Sequence, residues 1–225
     1  MKWRRGKVSE RAFNKVFAVC GYLLVLGGCI YNDEPMPTIT RQYPDFVQPA
    51  PPAPTKSRTD VYDNVSREWL PSSYVEKKWT AMVIHHSGTG NGNAAIFDKW
   101  HREGKHWAGV GYDFIIGNGS DSGDGQVEAT YRWRQQRTGA HCGGTPGNWA
   151  NKQAIGICLV GDFNVTAPTG RQMQSLVRLL RFLQRRYNIP KSRIYGHGST
   201  PGYTGKTKCP GKRFPMTRLK STLDF

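Results

Sequence analysis

The 225-residue chain carries 32 Lys and Arg against 16 Asp and Glu, a formal charge of +16. That length fits one core-bearing domain with appendages. The charge favours a polyanionic partner or surface, but no aromatic-basic RNA signature or recognition-helix pattern accompanies it, which excludes nucleic acid from the expected partners.

Residues 1–28 read as a signal segment. Lys2, Arg4, Arg5, Lys7, Arg11 and Lys15 against Glu10 contribute +5 of the charge, so the chain from Cys29 onward carries about +11. The apolar run from Val16 to Leu26 is shorter than the roughly 20 residues of a comfortable membrane span and matches a signal-peptide core. It ends in Leu26-Gly27-Gly28-Cys29, which resembles the bacterial lipobox: Leu three residues before the cysteine, then small residues that fit a protease subsite. The resemblance implies cleavage before Cys29 and lipid attachment to it, hence a membrane anchor in the cell envelope. Ile30, which is not acidic, follows the cysteine and favours the outer membrane over the inner one. An ordinary secretory signal and an uncleaved anchor are the alternatives.

Residues 29–58 contain Pro35, Pro37, Pro44, Pro49, Pro51, Pro52 and Pro54, a composition that favours extended, semi-rigid chain and reads as a tether. The folded domain is expected over residues 59–225. Its cysteines are Cys142, Cys158 and Cys209, and an odd number in an exported domain leaves at least one outside any disulfide. Cys158 reads as a small buried hydrophobe, with a Cys142–Cys158 bridge left open.

Ala81-Met82-Val83-Ile84 predicts a central strand. Asn93 predicts the cap of a helix over residues 94–103, with Ile96, Phe97 and Trp100 on one face. A strand over Gly111–Ile116, a glycine-rich turn and a second strand around Val127–Ala129 follow. The unbroken apolar run at residues 154–160 predicts a strand covered on both faces. Thr169 to Gln172 fits a capping box, after which Met173, Leu176, Val177, Leu180 and Leu183 recur at helical spacing. The opposite face, with Arg178, Arg181, Arg185 and Arg186, reads as a solvated stripe. Pro190 closes this helix, and Arg193-Ile194-Tyr195 predicts a last strand. Strands interleaved with helices predict a single α/β domain with a mixed central sheet flanked by helices.

Two segments carry chemistry. Val83-Ile84-His85-His86-Ser87-Gly88 puts a histidine at a strand end, and Gly196-His197 with Cys209-Pro210-Gly211 adds a second imidazole and a thiol. Two imidazoles and one thiolate suit a tetrahedral zinc ion that keeps its fourth position open for water. A structural zinc site is normally closed by a fourth ligand, and only Cys142 or His86 is on offer for that.

Six motifs in order, over about residues 78–215, resemble the zinc-dependent N-acetylmuramoyl-L-alanine amidases shared by T7-like phage lysozymes and peptidoglycan recognition proteins. They are Ile84-His85-His86-Ser87, Gly111-Tyr112-Asp113-Phe114-Ile115-Ile116, Gly139-Ala140-His141, Ile155–Gly161, Gly196-His197 and Cys209-Pro210-Gly211. The resemblance implies a peptidoglycan recognition protein-like fold and hydrolysis of the amide between N-acetylmuramic acid and L-alanine in peptidoglycan or muropeptides. It implies His85, His197 and Cys209 as zinc ligands, Tyr112 as the catalytic tyrosine, and Thr207 assisting the oxyanion, with Lys206 and Lys208 as rivals for that role. His86, next in the strand, is expected on the opposite face in a packing or hydrogen-bonding role. His141 is expected in the substrate groove or as a surface histidine beside Cys142. Asn151 and Trp149 are expected against glycan or peptide, Lys206 at the substrate, and the protein as a monomer. His101 and His106 are assigned to packing or solvent.

Two positions depart from the family pattern. The loop between His197 and Cys209 exceeds the usual spacing by about four residues, which a surface insertion tolerates cheaply. Gly198 stands where many relatives have arginine or another polar group. The alternative to an enzyme is a non-catalytic peptidoglycan-binding module of the same fold. Such modules typically lose a metal ligand, whereas all three ligand positions and Tyr112 are present here.

Overall fold

The computed structural model describes residues 67–72 and 76–223. The expected signal segment, the lipidation site Cys29, the proline-rich tether and the expected domain start at residue 59 lie outside the described residues. Among the described residues no helix is long and apolar enough to cross a membrane.

Five strands, Ala81–His86 (β1), Phe114–Ile116 (β2), Val127–Ala129 (β3), Ala154–Leu159 (β4) and Ile194–Gly196 (β5), make one sheet in the order β3-β2-β4-β1-β5. β1, β2, β4 and β5 run parallel, and β3 closes one edge antiparallel to β2. The helices are Ala94–Lys105 (α1), Tyr131–Arg134 (α2), Trp149–Gln153 (α3), Gly170–Tyr187 (α4) and Met216–Ser221 (α5). This is the mixed α/β sheet expected from the interleaved pattern.

Strand parity divides the apolar residues between two faces. Met82 and Ile84 of β1, Phe114 and Ile116 of β2, and Ile155, Ile157 and Leu159 of β4 join Leu176, Leu179, Leu180 and Leu183 of α4 in the main core. The alternate positions Ala81, Val83 and Ala154 pack with Cys142 and Ala150. Ile115 and Cys158 pack with Phe97, Val110 and Tyr112. His85 falls on this second face, away from α4. The core is completed by Trp133, which packs on Phe114 at 4.7 Å between ring centroids and donates from Nε1 to the Trp69 carbonyl at 2.9 Å.

The capping box forms as expected: Thr169 Oγ1 accepts from Gln172 N at 3.0 Å, and Gln172 Oε1 accepts from Thr169 N at 3.1 Å. Gln172 also donates through Nε2 to the carbonyls of Ile116 and Val160, so the helix start is tied to the ends of β2 and β4. Burying four leucines, each worth about 1.5–3 kcal/mol, does more for α4 than helix propensity does.

Several expectations are corrected. β2 begins at Phe114: the Gly111 carbonyl turns to accept from Ala140 N, while Asp113 N donates to Gly156 O of β4 just before the strand starts. A Cβ at Gly111 would lie 2.3 Å from the Ala140 carbonyl oxygen, so only glycine permits that crossing. In α1 the buried residues are Phe97 and His101, whereas Ile96 and Trp100 are 43% and 44% exposed. The arginine stripe on α4 is partly engaged: Arg186 pairs with Glu76, and Arg181 donates to the Thr222 carbonyl at 2.6 Å. Cys142 and Cys158 are both free thiols. Helices α2, α3 and α5, of four to six residues, are too short to leave a periodic signal.

Asp113 is fully buried, with Oδ2 accepting from Gly156 N at 2.8 Å and Oδ1 shielded, without a partner among the described residues. Burial pushes its pKa up to about 7 from the usual 3.8. The folded state therefore binds this proton more tightly than the unfolded chain. The associated stability is complete below the unfolded value and is lost as pH rises through about 7. Replacing Asp113 with Asn removes the titration. The stability of wild type minus that of Asp113→Asn, from urea unfolding, is expected to fall by about 2–3 kcal/mol between pH 5 and 8. A difference independent of pH would contradict the assignment.

Candidate metal centre

Parallel pairing builds the site. β1 and β5 run side by side with Ile84 opposite Gly196, so the next residue of each chain segment, His85 and His197, emerge at the same sheet end. Their ring centroids are 4.6 Å apart. The third group arrives from the following loop. His86 N donates to Cys209 Sγ at 3.3 Å, and Gly198 N donates to Cys209 O at 2.9 Å. Gly198 is what lets this loop close, because a Cβ there would lie 2.9 Å from the Thr207 carbonyl oxygen.

One ligand atom each from His85, His197 and Cys209 lies within 4.8 Å of the others. Cys209 Sγ is 3.7 Å from His85 Nδ1, near the roughly 3.6 Å that tetrahedral zinc imposes between a sulfur and a nitrogen ligand. His197 Nε2 is shielded from solvent and has no hydrogen-bond partner among the described residues. A buried nitrogen left bare beside a thiol and a second imidazole is the signature of a site completed by a cation. The donors fit zinc: two borderline nitrogens and one soft sulfur. Among the described residues no fourth protein ligand joins them. His86, on the opposite face, accepts from Phe163 N at 3.0 Å through Nδ1, and Cys142 packs in the cluster with Val83 and Ala150. A catalytic zinc site uses three protein donors and keeps a fourth position open, whereas a structural site uses four, and this cluster offers three among the described residues.

The electrostatics agree. Burial lowers the pKa of His85 well below the usual range and that of His197 to about 4, so both imidazoles present lone pairs. Burial pushes the Cys209 thiol up to about 12. A divalent cation bound beside Cys209 would favour its thiolate form. Tyr112 stands against this cluster, its ring 5.2 Å from that of His85. Burial raises its phenol well above the usual value, with the thiols of Cys158 and Cys209 acting in the same direction, so the hydroxyl stays protonated and able to donate.

The other expected site residues fall in different places. Thr207 is exposed, and its Oγ1 accepts from Cys209 N at 3.1 Å, so it shapes the ligand loop. Lys206 and Lys208 are exposed on the same loop. The alternative of a surface position for His141 is corrected: His141 and Asn151 are both buried, 7% and 6% exposed, with their polar atoms engaged within the protein. His141 Nδ1 lies 3.1 Å from His85 Nε2, and Asn151 Oδ1 accepts from His141 N and Cys142 N. Trp149 donates from Nε1 to the Pro201 carbonyl and packs edge-on against Tyr195, which ties it to the inserted loop.

Two aromatic neighbours left no signal in the sequence. Tyr203, inside the inserted loop, stands 4.7 Å from the His197 ring. From Tyr112 the rings of His101 and Trp107 follow at 5.8 Å and 4.9 Å, ending on Trp107, which is 45% exposed. Neither tyrosine nor tryptophan lies at a periodic or motif position, so only folding reveals their proximity.

The family profile described as N-acetylmuramoyl-L-alanine amidase matches residues 76–212. Among curated relatives, peptidoglycan-recognition protein SC2 of Drosophila simulans and of Drosophila melanogaster are each 34% identical over 113 residues, 50% of this chain and 53% of theirs. The chain thus spans about half the length of these curated relatives. Among solved structures, the N-acetylmuramoyl-L-alanine amidase LysC from Clostridium intestinale URNW superposes with a TM-score of 0.53 at 29% identity, covering 70% of this chain and 92% of that one. The endolysin amidase LysCS from the same organism superposes with a TM-score of 0.52 at 27% identity, covering 68% and 90%.

Proposed function

Because the chain belongs to the N-acetylmuramoyl-L-alanine amidase family, we propose that it is a zinc hydrolase of the amide between N-acetylmuramic acid and L-alanine in peptidoglycan or muropeptides. The observation that carries this reading is the convergence of His85, His197 and Cys209 within 4.8 Å, with no fourth protein ligand among the described residues. A zinc ion held by these residues supplies Lewis-acid chemistry, acidifying water and polarising an amide carbonyl.

The protein's own residues do the rest. Tyr112, protonated and packed on His85, donates its hydroxyl to the carbonyl oxygen as that atom gathers negative charge. Thr207 orients Cys209 through its backbone N–H, and Lys206 on the exposed loop brings positive charge to an anionic substrate. Trp107, exposed at the end of the ring series from Tyr112, offers an apolar face to a sugar. At the other end of the chain, Leu26-Gly27-Gly28-Cys29 supports cleavage before Cys29 and a lipid anchor, with the proline-rich stretch as tether to the envelope surface.

The test is digestion of purified sacculi and soluble muropeptides by the full chain in detergent, with and without a chelator, and mass spectrometry of the products. Free stem peptides beginning with alanine are expected, lost on chelation and restored by zinc. Intact substrate that nevertheless co-sediments with the zinc-loaded protein would replace the hydrolase with a peptidoglycan-binding module.

A further inference from the structure

We infer that His141 is a positioning residue that locks His85 in the tautomer required of a metal ligand, an inference that rests on the zinc reading of the site. His141 Nε2 lies 3.2 Å from the carbonyl oxygen of Ala154, and His141 Nδ1 lies 3.1 Å from His85 Nε2. A carbonyl only accepts, so the proton of His141 sits on Nε2. Neither ring partner of His141 is a carboxylate, and a buried imidazole without a counter-charge is neutral, carrying one proton. Its Nδ1 is then an acceptor, and the hydrogen between the two rings belongs to His85 Nε2. His85 Nδ1 is left bare, and it is this nitrogen that faces Cys209 Sγ at 3.7 Å.

The position of His141 is built rather than incidental. The ring occupies space that exists only because two neighbours lack side chains: a Cβ at Gly156 would lie 2.4 Å from His141 Cδ2, and one at Gly139 would lie 2.6 Å from it. Asn151 accepts from the backbone N–H groups of His141 and Cys142, both at 2.8 Å, and its own amide donates to Asn148 Oδ1 at 2.8 Å. The relay runs from the backbone of β4 through His141 to the ligand at the end of β1. A metal-bound histidine usually gives its second N–H to a carbonyl, carboxylate or water. Here a second histidine stands between ligand and carbonyl, with the same effect on the tautomer. Gly139, Gly156 and Asn151 thus support the metal centre without touching it.

The experiment uses the full chain labelled with 15N-histidine, zinc-free and zinc-loaded, and reads each ring by long-range 1H–15N correlation. Zinc affinity is measured in parallel by chelator competition for wild type, His141→Phe and His141→Asn, with urea unfolding of each zinc-free form as the control for folding. Both His85 and His141 are expected as Nε2–H tautomers before and after zinc. His141→Phe, which offers no acceptor, is expected to bind zinc about 10–100-fold more weakly. His141→Asn, which places an amide oxygen near the former Nδ1, is expected to recover most of that loss. An Nδ1–H tautomer at His141, unchanged affinity in His141→Phe, or equal weakening in both variants would overturn the inference. Wild-type protein that takes up no zinc would overturn the metal reading together with this role. The ring spectra of the zinc-free protein distinguish that failure from failure of the relay alone.

Discussion

Replacing Cys209 with serine is expected to remove zinc from the protein and lower amide hydrolysis by at least about a thousandfold, the rate equivalent of roughly 4 kcal/mol of lost Lewis-acid stabilisation. A serine hydroxyl is a far poorer zinc ligand than a thiolate. The remaining pair, His85 and His197, provides two nitrogens, one fewer donor than a catalytic site uses. The backbone around the position tolerates the change, because Gly198 N and Thr207 Oγ1 hold residue 209 through its main chain and not through its sulfur. The lost contact is the one from His86 N to Sγ, at 3.3 Å. Metal content after dialysis, measured by plasma emission, together with the rate on muropeptides, checks the expectation. A Cys209→Ser protein that keeps one equivalent of zinc and the wild-type rate would remove this cysteine from the metal set.

Tyr112→Phe is expected to leave zinc content and fold unchanged while lowering kcat by about a hundredfold or more, with KM moving far less. The ring that packs at 5.2 Å from His85 is retained, and only the hydroxyl is lost. That hydroxyl stays protonated in its buried setting, so its contribution is a hydrogen bond that strengthens as the carbonyl oxygen becomes anionic. An interaction realised in the transition state appears in kcat, whereas a ground-state contact appears in KM. Steady-state kinetics on a defined muropeptide, beside zinc analysis of the same sample, separates the two. A rate within threefold of wild type would reduce Tyr112 to a packing residue. Read with Cys209→Ser, this variant distinguishes loss of the metal from loss of a donor beside it.

The fold was legible wherever burial leaves a periodic record. β4 is apolar at six successive positions and buried at all of them, as a strand covered on both faces must be. α4 was legible from leucine spacing and from its capping box. The short helices and the true start of β2 were not legible. α3 spans five residues, less than two turns, and the Gly111–Asp113 segment bonds to residues distant in sequence. Within the site, His85, His197 and Cys209 could be read from the chain as a candidate donor set, because zinc chemistry restricts which side chains serve, and the structure brings them within 4.8 Å of one another.

Burial and hydrogen bonding could not be read in the same way. His141 was expected in the groove because it lies in a motif that the resemblance places there, and Asn151 as a polar contact to glycan or peptide. Both are buried, and their polar atoms are committed to His85, Ala154 and neighbouring backbone. The arginines of α4 looked like one solvated stripe until Glu76 and the Thr222 carbonyl took two of them. Residue type and local period were enough to read the candidate donors, the strand that carries His85 and the helix that buries its reverse face. Which imidazole nitrogen faces Cys209, how Cys209 reaches the cluster and what Gly156 makes room for emerge on folding. Those answers depend on contacts between segments that parallel strand pairing and loop closure bring together, and no local pattern encodes such distances.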